Sequence, residues 1–252
     1  MAIVNLSKCE KQEHPLADGG SMVVYRDGRH RYYDEEAHVA CPSVTTTLVH
    51  LDPPFGAGKG WAVKLIKDDY TQQGKDGVPH FDIPDIQSSE ARKLGNELHN
   101  AIDEYIKDGT VDESNLAFSA WFKEFSRTEW VASEQFVLSS GEHGLFGGTL
   151  DAISMDKDGE LVLHDWKSKS SFREVGRKDM AQIGGYYLGL KSMGSAYLPQ
   201  KAVISYVLRD GSGLHNIPVN LEYCVELFKS ARHLWTLTVA DHYYGKPIAG
   251  GM

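Results

Sequence analysis

The chain has 252 residues, of which 41% are hydrophobic and 24% are charged, and its formal net charge is −9. This length and composition are typical of a soluble globular protein with one sizeable core, or a core and a smaller cap. No stretch approaches the roughly eighteen consecutive apolar residues of a membrane span, and the acidic charge argues against a protein that coats nucleic acid.

The N-terminal residues and the cysteines both indicate a cytoplasmic protein. Residues 1–16 contain no apolar segment of signal-peptide length, and they include acids, which transit peptides avoid. The three cysteines, Cys9, Cys41 and Cys224, lie far apart and form no CxxC pair. Neither a zinc ribbon nor an iron–sulfur cluster is therefore expected.

The first third of the chain predicts a less regular extension over residues 1–87. Residues 22–34 alternate apolar and polar side chains around Asp27-Gly28, which is typical of a β-hairpin. The next segment, 41–51, fits either a short helix that opens near Ser43 or a strand of β-branched residues, and the sequence leaves both open.

A helix and a connecting segment are predicted to complete this extension. The helix begins near Trp61 and ends near Tyr70. Residues 74–87 are rich in glycine and proline, which is typical of a connection between elements.

The clearest helix is predicted between Ser88 and Gly109. Ser88 or Ser89 can cap its first turn, and Gly109 can end it. At about 100° per residue, His99 falls on the flank of the apolar stripe. That stripe is formed by Ala91, Leu94, Leu98, Ile102 and Tyr105.

The remaining elements are predicted in the order helix, three strands, helix, strand and helix. Their ranges are 114–130; 132–140, 145–156 and 160–168; 173–193; 201–210; and 221–244. This order predicts an α/β (α+β) fold with a central mixed sheet flanked by helices. Residues 88–252 would form its core.

The third strand of this group carries an unusual set of side chains. Residues two apart on a strand share a face, so Asp165 and Lys167 project together while His164 and Trp166 point the other way. A hairpin returns Asp151 to the same edge. Two carboxylates there suit Mg²⁺ or Mn²⁺, and the lysine offers a positive charge to a phosphoryl group or an attacking water. An exposed hairpin with a cross-strand Asp–Lys pair would give the same pattern.

The order of these motifs resembles the PD-(D/E)xK nuclease superfamily. The matching residues are Gly148-Thr149-Leu150-Asp151, Asp165-Trp166-Lys167-Ser168, and the helical pair Gln182 and Tyr186. The RecB-like branch is most similar, because His99 follows Gly95 on a helix and Ser133-Glu134 precedes the first strand. Ser43 within PSVTTTL, with Trp61 downstream, resembles the entry segment of the mitochondrial genome maintenance exonuclease and related phage exonucleases. Leu150 stands where the superfamily has proline.

The resemblance implies a restriction-endonuclease-like core that uses Mg²⁺ or Mn²⁺ and no iron–sulfur cluster. The implied metal ligands are His99, Asp151, Asp165, the backbone carbonyl of Trp166 and, in a supporting or second-metal role, Glu134. Asp151, Asp165 and Lys167 are the implied catalytic residues, with Lys167 orienting the attacking water and helping to deprotonate it.

DNA contacts are expected at three places. The resemblance implies that Gln182 and Tyr186 hold DNA phosphate, and that Ser43 and Trp61 belong to the entry segment. A basic track leaves the strand that carries Lys167 and would follow a phosphate backbone. The track consists of Lys169, Arg173, Arg177 and Lys178.

We therefore expect a metal-dependent DNA exonuclease that digests single strands or duplex ends during DNA replication, recombination or repair. It would act in the cytoplasm of a bacterium or a phage-infected host, with residues 1–87 gating the substrate. A single-strand-binding or recombination protein is compatible as a partner. The alternatives are a structure-specific endonuclease on the same fold and a catalytically silent DNA-binding module.

Overall fold

The structure, a computed structural model, describes residues 6–28, 31–34, 41–51, 64, 83–140, 142–172 and 174–238, with backbone alone for 83–86. Apart from Lys64, the helix predicted over 61–70 lies outside this part of the chain, and so do the candidate DNA contacts Trp61 and Arg173. The predicted end of the last helix, beyond residue 238, lies outside it as well.

The chain begins with a small antiparallel sheet of three strands. Strand β1, Glu10–Pro15, pairs with β2, Ser21–Arg26, which pairs with β3, Tyr32–Asp34. The hairpin predicted over 22–34 is confirmed by the β2–β3 pair. Strand β1 was not predicted, because its sequence, EKQEHP, has no apolar alternation that marks a strand.

The ambiguous segment 41–51 forms a short helix, α1, Val44–Thr47, and then a 3₁₀ turn, Val49–Leu51. The hydroxyl of Ser43 caps α1 by accepting a hydrogen bond from Thr46 N at 3.0 Å. This cap outweighs the preference of the β-branched residues for a strand.

Two helices follow, and their limits differ from the predicted ones. Helix α2 covers Ile83–Asp108, so it begins five residues before the predicted Ser88. Leu94 was wrongly assigned to its buried stripe, since 44% of that residue is exposed. Helix α3 covers only Leu116–Phe125 and not 114–130, because Trp130 belongs to the next strand.

The central sheet has five strands in the order β4-β5-β6-β7-β8. All neighbours are antiparallel except β6 and β7, which are parallel. Strand β8 was missed by the sequence prediction, which placed no element between residue 210 and the last helix. The strands are Glu129–Ser139, Phe146–Met155, Leu161–Lys169, Lys201–Leu208 and Leu214–Pro218.

Two further helices complete the fold. Helix α4, Arg177–Met193, connects the parallel strands β6 and β7, as such a pair requires. Helix α5, Leu221–Thr238, packs against α4. No helix among the described residues combines the length and apolar character needed to cross a membrane.

Hydrophobic clusters cover both faces of the central sheet. Side chains alternate between the two faces along β6. Leu163 packs in one cluster, with residues of α4, α5 and the N-terminal strands. Trp166 packs in the other, with residues of α2 and α3. The second cluster is largely aromatic, with Trp121 and Trp166 in edge-to-face contact at 5.7 Å. The chain is therefore a mixed α and β protein with helices on both sides of a mixed sheet, which confirms the predicted fold class.

Candidate metal centre and adjoining cavity

A cavity of about 600 Å³ opens where the N-terminal sheet, α1 and α2 meet strand β5. Glycines on β5 allow the aromatic side chains that line this cavity to pack close to the strand. A Cβ atom at Gly148 would lie 2.8 Å from Cε1 of Tyr186. A Cβ atom at Gly147 would collide with the ring of Tyr32. The two glycines thus let two aromatic side chains approach the strand that carries Asp151.

Three acids occupy neighbouring positions on strands β4, β5 and β6. In the register, Glu134 lies opposite Asp151, between the Ser133–Ala152 and Gln135–Leu150 pairs. The described β5–β6 pairing ends at Ala152–His164, one residue short of Asp151 and Asp165. There the Asp151 carboxylate accepts a hydrogen bond from Trp166 N at 2.6 Å. Like charges on adjacent strands repel, so a cation bound between Glu134 and Asp151 would relieve their repulsion.

Glu134 has an unusual backbone conformation, with a φ angle of 47°. A glutamate in this left-handed region is strained, and strain of this kind is concentrated at functional sites. The side chain of Gln12 on β1 supports the conformation: it donates to Glu134 O at 3.1 Å and accepts a hydrogen bond from Phe136 N. The N-terminal sheet therefore helps to shape the acidic row.

His99 reaches the acidic row from α2. Its Nδ1 lies 3.6 Å from Oδ1 of Asp151, and its Nε2 lies 3.1 Å from the carbonyl oxygen of Trp166. The position of His99 on the flank of the apolar stripe explains why it faces the sheet edge without filling the core.

His99, Glu134 and Asp151 form the group of described residues best placed to hold a metal ion. Each offers one ligand atom, and these three atoms lie within 4.8 Å of one another. Two carboxylates, an imidazole and the nearby Trp166 carbonyl fit a hard divalent cation such as Mg²⁺ or Mn²⁺. Asp165, the remaining ligand implied by the resemblance, is not part of this group.

Asp165 is instead paired with Lys167. Nζ of Lys167 lies 2.6 Å from Oδ2 of Asp165 and donates a hydrogen bond to Oε1 of Gln182 at 3.1 Å. The amide of Gln182 then donates to the Tyr186 hydroxyl at 2.6 Å. Gln182 and Tyr186 were expected to hold DNA phosphate, and here Gln182 holds the lysine while Tyr186 lines the cavity.

Burial and charge shift the pKa values of these groups. Burial, with the charges of Asp151 and Asp103, raises the pKa of Glu134 to about 8. Burial also raises the pKa of Asp165, although the charge of Lys167 opposes this shift. For Lys167, burial disfavours the ammonium form, but the neighbouring carboxylates outweigh it and raise the pKa. Lys167 is therefore an ammonium at neutral pH, which donates hydrogen bonds and cannot accept a proton.

The other expected DNA contacts are divided between the cavity and the rest of the surface. Ser43 lines the cavity beside α1. Lys169, Arg177 and Lys178 do not line it among the described residues, since they lie at the end of β6 and the start of α4.

Several cavity residues were not found from the sequence. Arg26 and Tyr32 come from the N-terminal sheet, and Arg92 comes from α2. Arg92 lies seven residues before His99, and this spacing puts both side chains on the same side of the helix. Helical periodicity could therefore have predicted Arg92 near the site. No local signal links Arg26 or Tyr32 to β5.

Comparisons with known proteins assign no family. No family model matches the chain, and no curated protein matches it. A solved structure titled "Crystal structure of SSO0001" is similar at 15% sequence identity and a TM-score of 0.30. The similarity covers 77% of this chain and 99% of the other. A likeness at this level carries no argument about function.

Proposed function

We propose that this protein is a Mg²⁺- or Mn²⁺-dependent deoxyribonuclease of the PD-(D/E)xK type that removes nucleotides from DNA ends. The observation that carries the proposal is the convergence of His99, Glu134 and Asp151 within 4.8 Å beside the Asp165–Lys167 pair. Acids, an imidazole and a lysine at one sheet edge match the donors and the positive charge that phosphodiester hydrolysis requires.

In this proposal His99, Glu134, Asp151 and the Trp166 carbonyl hold the cation. A bound divalent ion lowers the pKa of its water and neutralises charge that develops on the phosphate. Lys167, as an ammonium, orients the water or a phosphoryl oxygen by donating a hydrogen bond. Gln182 and Asp165 fix the position of its Nζ.

The proposed substrate is DNA in the cytoplasm of a bacterium or a phage-infected cell. The arginines in the cavity wall support an anionic substrate, because they provide positive charge within a protein of net charge −9. The route of DNA is therefore inferred to pass through the cavity as well as along Lys169, Arg177 and Lys178.

The test is incubation of the purified protein with end-labelled DNA, linear and circular, single- and double-stranded. We expect Mg²⁺ or Mn²⁺ to support digestion of linear DNA to nucleotides, EDTA to stop it, and circular DNA to survive. Cleavage of circles would identify an endonuclease on the same site. No cleavage of any DNA with either metal would overturn the proposal and leave a DNA-binding module.

A matched pair of variants ties any cleavage to this site. Asp151→Asn removes one charge from the acidic row and should reduce cleavage at least about 100-fold. Asp158→Asn makes the same chemical change at a side chain that is 61% exposed in the β5–β6 turn. That control should cleave at the wild-type rate, and equal losses in both variants would place the activity elsewhere or in a contaminant.

A further inference from the structure

The wall of the cavity contains positively charged side chains as well as members of the acidic row. The guanidinium of Arg26 lies there, and its Nη1 donates a hydrogen bond to Oγ1 of Thr149 at 3.1 Å. The Tyr32 hydroxyl lies 2.9 Å from the same oxygen. The guanidinium also stacks over the ring of Phe136, 4.7 Å from its centroid. Arg26 is therefore held in a fixed position and is not a freely moving surface side chain.

Arg92 on α2 provides a second positive charge in the wall of the same cavity. It lies seven residues before His99, which is about 10 Å along the helix axis. Asn96 lies between these two residues in the chain and Asn100 directly follows His99, and both also line the cavity. One wall thus runs from a cationic side chain, past amide groups, to the candidate metal ligands.

Strand β5 carries both the residue that binds Arg26 and a member of the acidic row. Thr149, which holds Arg26, precedes Asp151 by two residues on one strand, a distance of about 6.7 Å. Neighbouring phosphates on one extended nucleic-acid strand have a comparable separation. A phosphate at the acidic row would therefore have its neighbour within reach of the arginine.

We propose that Arg26, assisted by Arg92, binds the phosphate next to the one that is cleaved. This inference rests on the proposed nuclease function and narrows its substrate to a chain with consecutive phosphates, as opposed to an isolated phosphodiester. A planar guanidinium is suited to this task, because it offers paired donors to two phosphate oxygens.

Glu10 pairs with the same arginine. Its carboxylate forms an ion pair and hydrogen bonds with Arg26, and its side chain is 63% exposed. An exposed pair of this kind is weak, so an incoming phosphate can replace the carboxylate at low cost. In this proposal Glu10 competes with a phosphate for the Nε and Nη2 donors of Arg26.

The test compares short substrates with one phosphodiester and with or without an additional terminal phosphate. For the wild type, a 5′- or 3′-phosphate on a dinucleoside monophosphate should raise kcat/KM about 10-fold or more. Arg26→Ala should abolish this advantage, so its loss of kcat/KM on the phosphorylated substrate should exceed its loss on the unphosphorylated substrate and on bis(4-nitrophenyl) phosphate by about 10-fold or more. An equal loss on all three substrates, or an advantage that persists in the variant, would overturn the inference.

A binding measurement keeps the inference testable if no cleavage occurs. In EDTA, a labelled single-stranded hexanucleotide should bind Arg26→Ala about 10-fold more weakly than the wild type, by fluorescence anisotropy. Glu10→Gln should bind it as tightly, or up to about 5-fold more tightly. Weaker binding by Glu10→Gln would mean that the ion pair supports the site and does not compete for it.

Arg127→Ala is the matched control for these measurements. Arg127 is exposed in the connection between α3 and β4, outside the cavity lining. The Arg127→Ala variant should bind and cleave like the wild type. If it lost as much binding as Arg26→Ala, the effect would be a general one of charge, and the assignment to Arg26 would be overturned. If the wild type cleaves DNA but Arg26→Ala binds the hexanucleotide as tightly as the wild type, this inference alone is overturned. If the wild type does not cleave DNA but Arg26→Ala binds the hexanucleotide more weakly, only the proposed reaction is overturned.

Discussion

Lys167 has both a structural and a chemical role at the sheet edge. Its ammonium compensates a carboxylate on a residue that is 0% exposed, Asp165, and it also interacts electrostatically with the candidate metal ligand Asp151. Lys167→Met keeps the length of the side chain but removes the charge. We expect at least about a 100-fold loss of cleavage and a stability loss of about 3 kcal/mol, since one partner of a buried pair is removed.

The double variant Lys167→Met/Asp165→Asn separates the two roles. It removes both charges, so urea unfolding should show that most of the lost stability returns, while cleavage stays absent. Lys229→Met serves as a control, because Lys229 pairs with Glu226 at 3.0 Å on an exposed surface of α5 and its loss should leave stability almost unchanged. A stable Lys167→Met protein with wild-type turnover would contradict both assigned roles.

Single residues could be predicted where local periodicity controls their direction. The period of two along β6 correctly placed Asp165 with Lys167, and the helical period placed His99 near the sheet edge. Arg26 could not be predicted, because 123 residues separate it from Thr149 and no nearby pattern marks it. Asp165 pairs with Lys167 and does not join the candidate metal ligands. This choice depends on burial, which cannot be read from the sequence.

At the scale of elements, α4 and α5 approach closely because α4 contains glycines. A Cβ atom at Gly184 would overlap the backbone carbonyl of Cys224 on α5. Alanine usually stabilises a helix by about 1 kcal/mol relative to glycine. Here the overlap with backbone should reverse the sign, and we expect Gly184→Ala to lose about 2–3 kcal/mol by urea unfolding.

Gly28→Ala is the corresponding control for this helix contact. Among the described residues, nothing lies within 4 Å of a Cβ atom at Gly28, in the turn after β2. This variant should unfold at nearly the wild-type urea concentration. A Gly184→Ala protein as stable as the wild type would show that the two helices can separate without cost.

Elements with strong periodicity were predicted and those decided by their neighbours were not. The β5–β6 hairpin has alternating residues and an Asp-Gly turn, so its limits were nearly correct. Trp130 was assigned to a helix, but it packs 5.7 Å from Trp121 in the aromatic cluster as part of β4. Strand β1 is almost entirely polar and β8 has only five residues, so only their partner strands specify them.

At the scale of the whole molecule, the N-terminal residues share the core of the central sheet. Val24, Tyr32 and Val44 belong to the same cluster as Phe136 and Leu150. The predicted extension over 1–87 therefore contributes packing as well as part of the cavity wall. Ser43 also bridges to Gly147 on β5.

A fragment of residues 88–252 should not fold independently. It would expose the apolar side of β4 and β5 and would lack the first five residues of α2. We expect no cooperative urea transition and strong binding of a hydrophobic dye, with the full chain as control under the same conditions. A cooperative transition in the fragment would show that the first 87 residues are a separable unit.

The hydrogen bond between Arg26 and Thr149 also has a consequence for biosynthesis. The two residues are separated by 123 positions, which a ribosome adds in about 6–25 s. For that interval the small N-terminal sheet has no partner, and a three-stranded sheet without a covered apolar face is only marginally stable. The newly made hairpin must therefore avoid pairing with other nascent strands until β5 emerges.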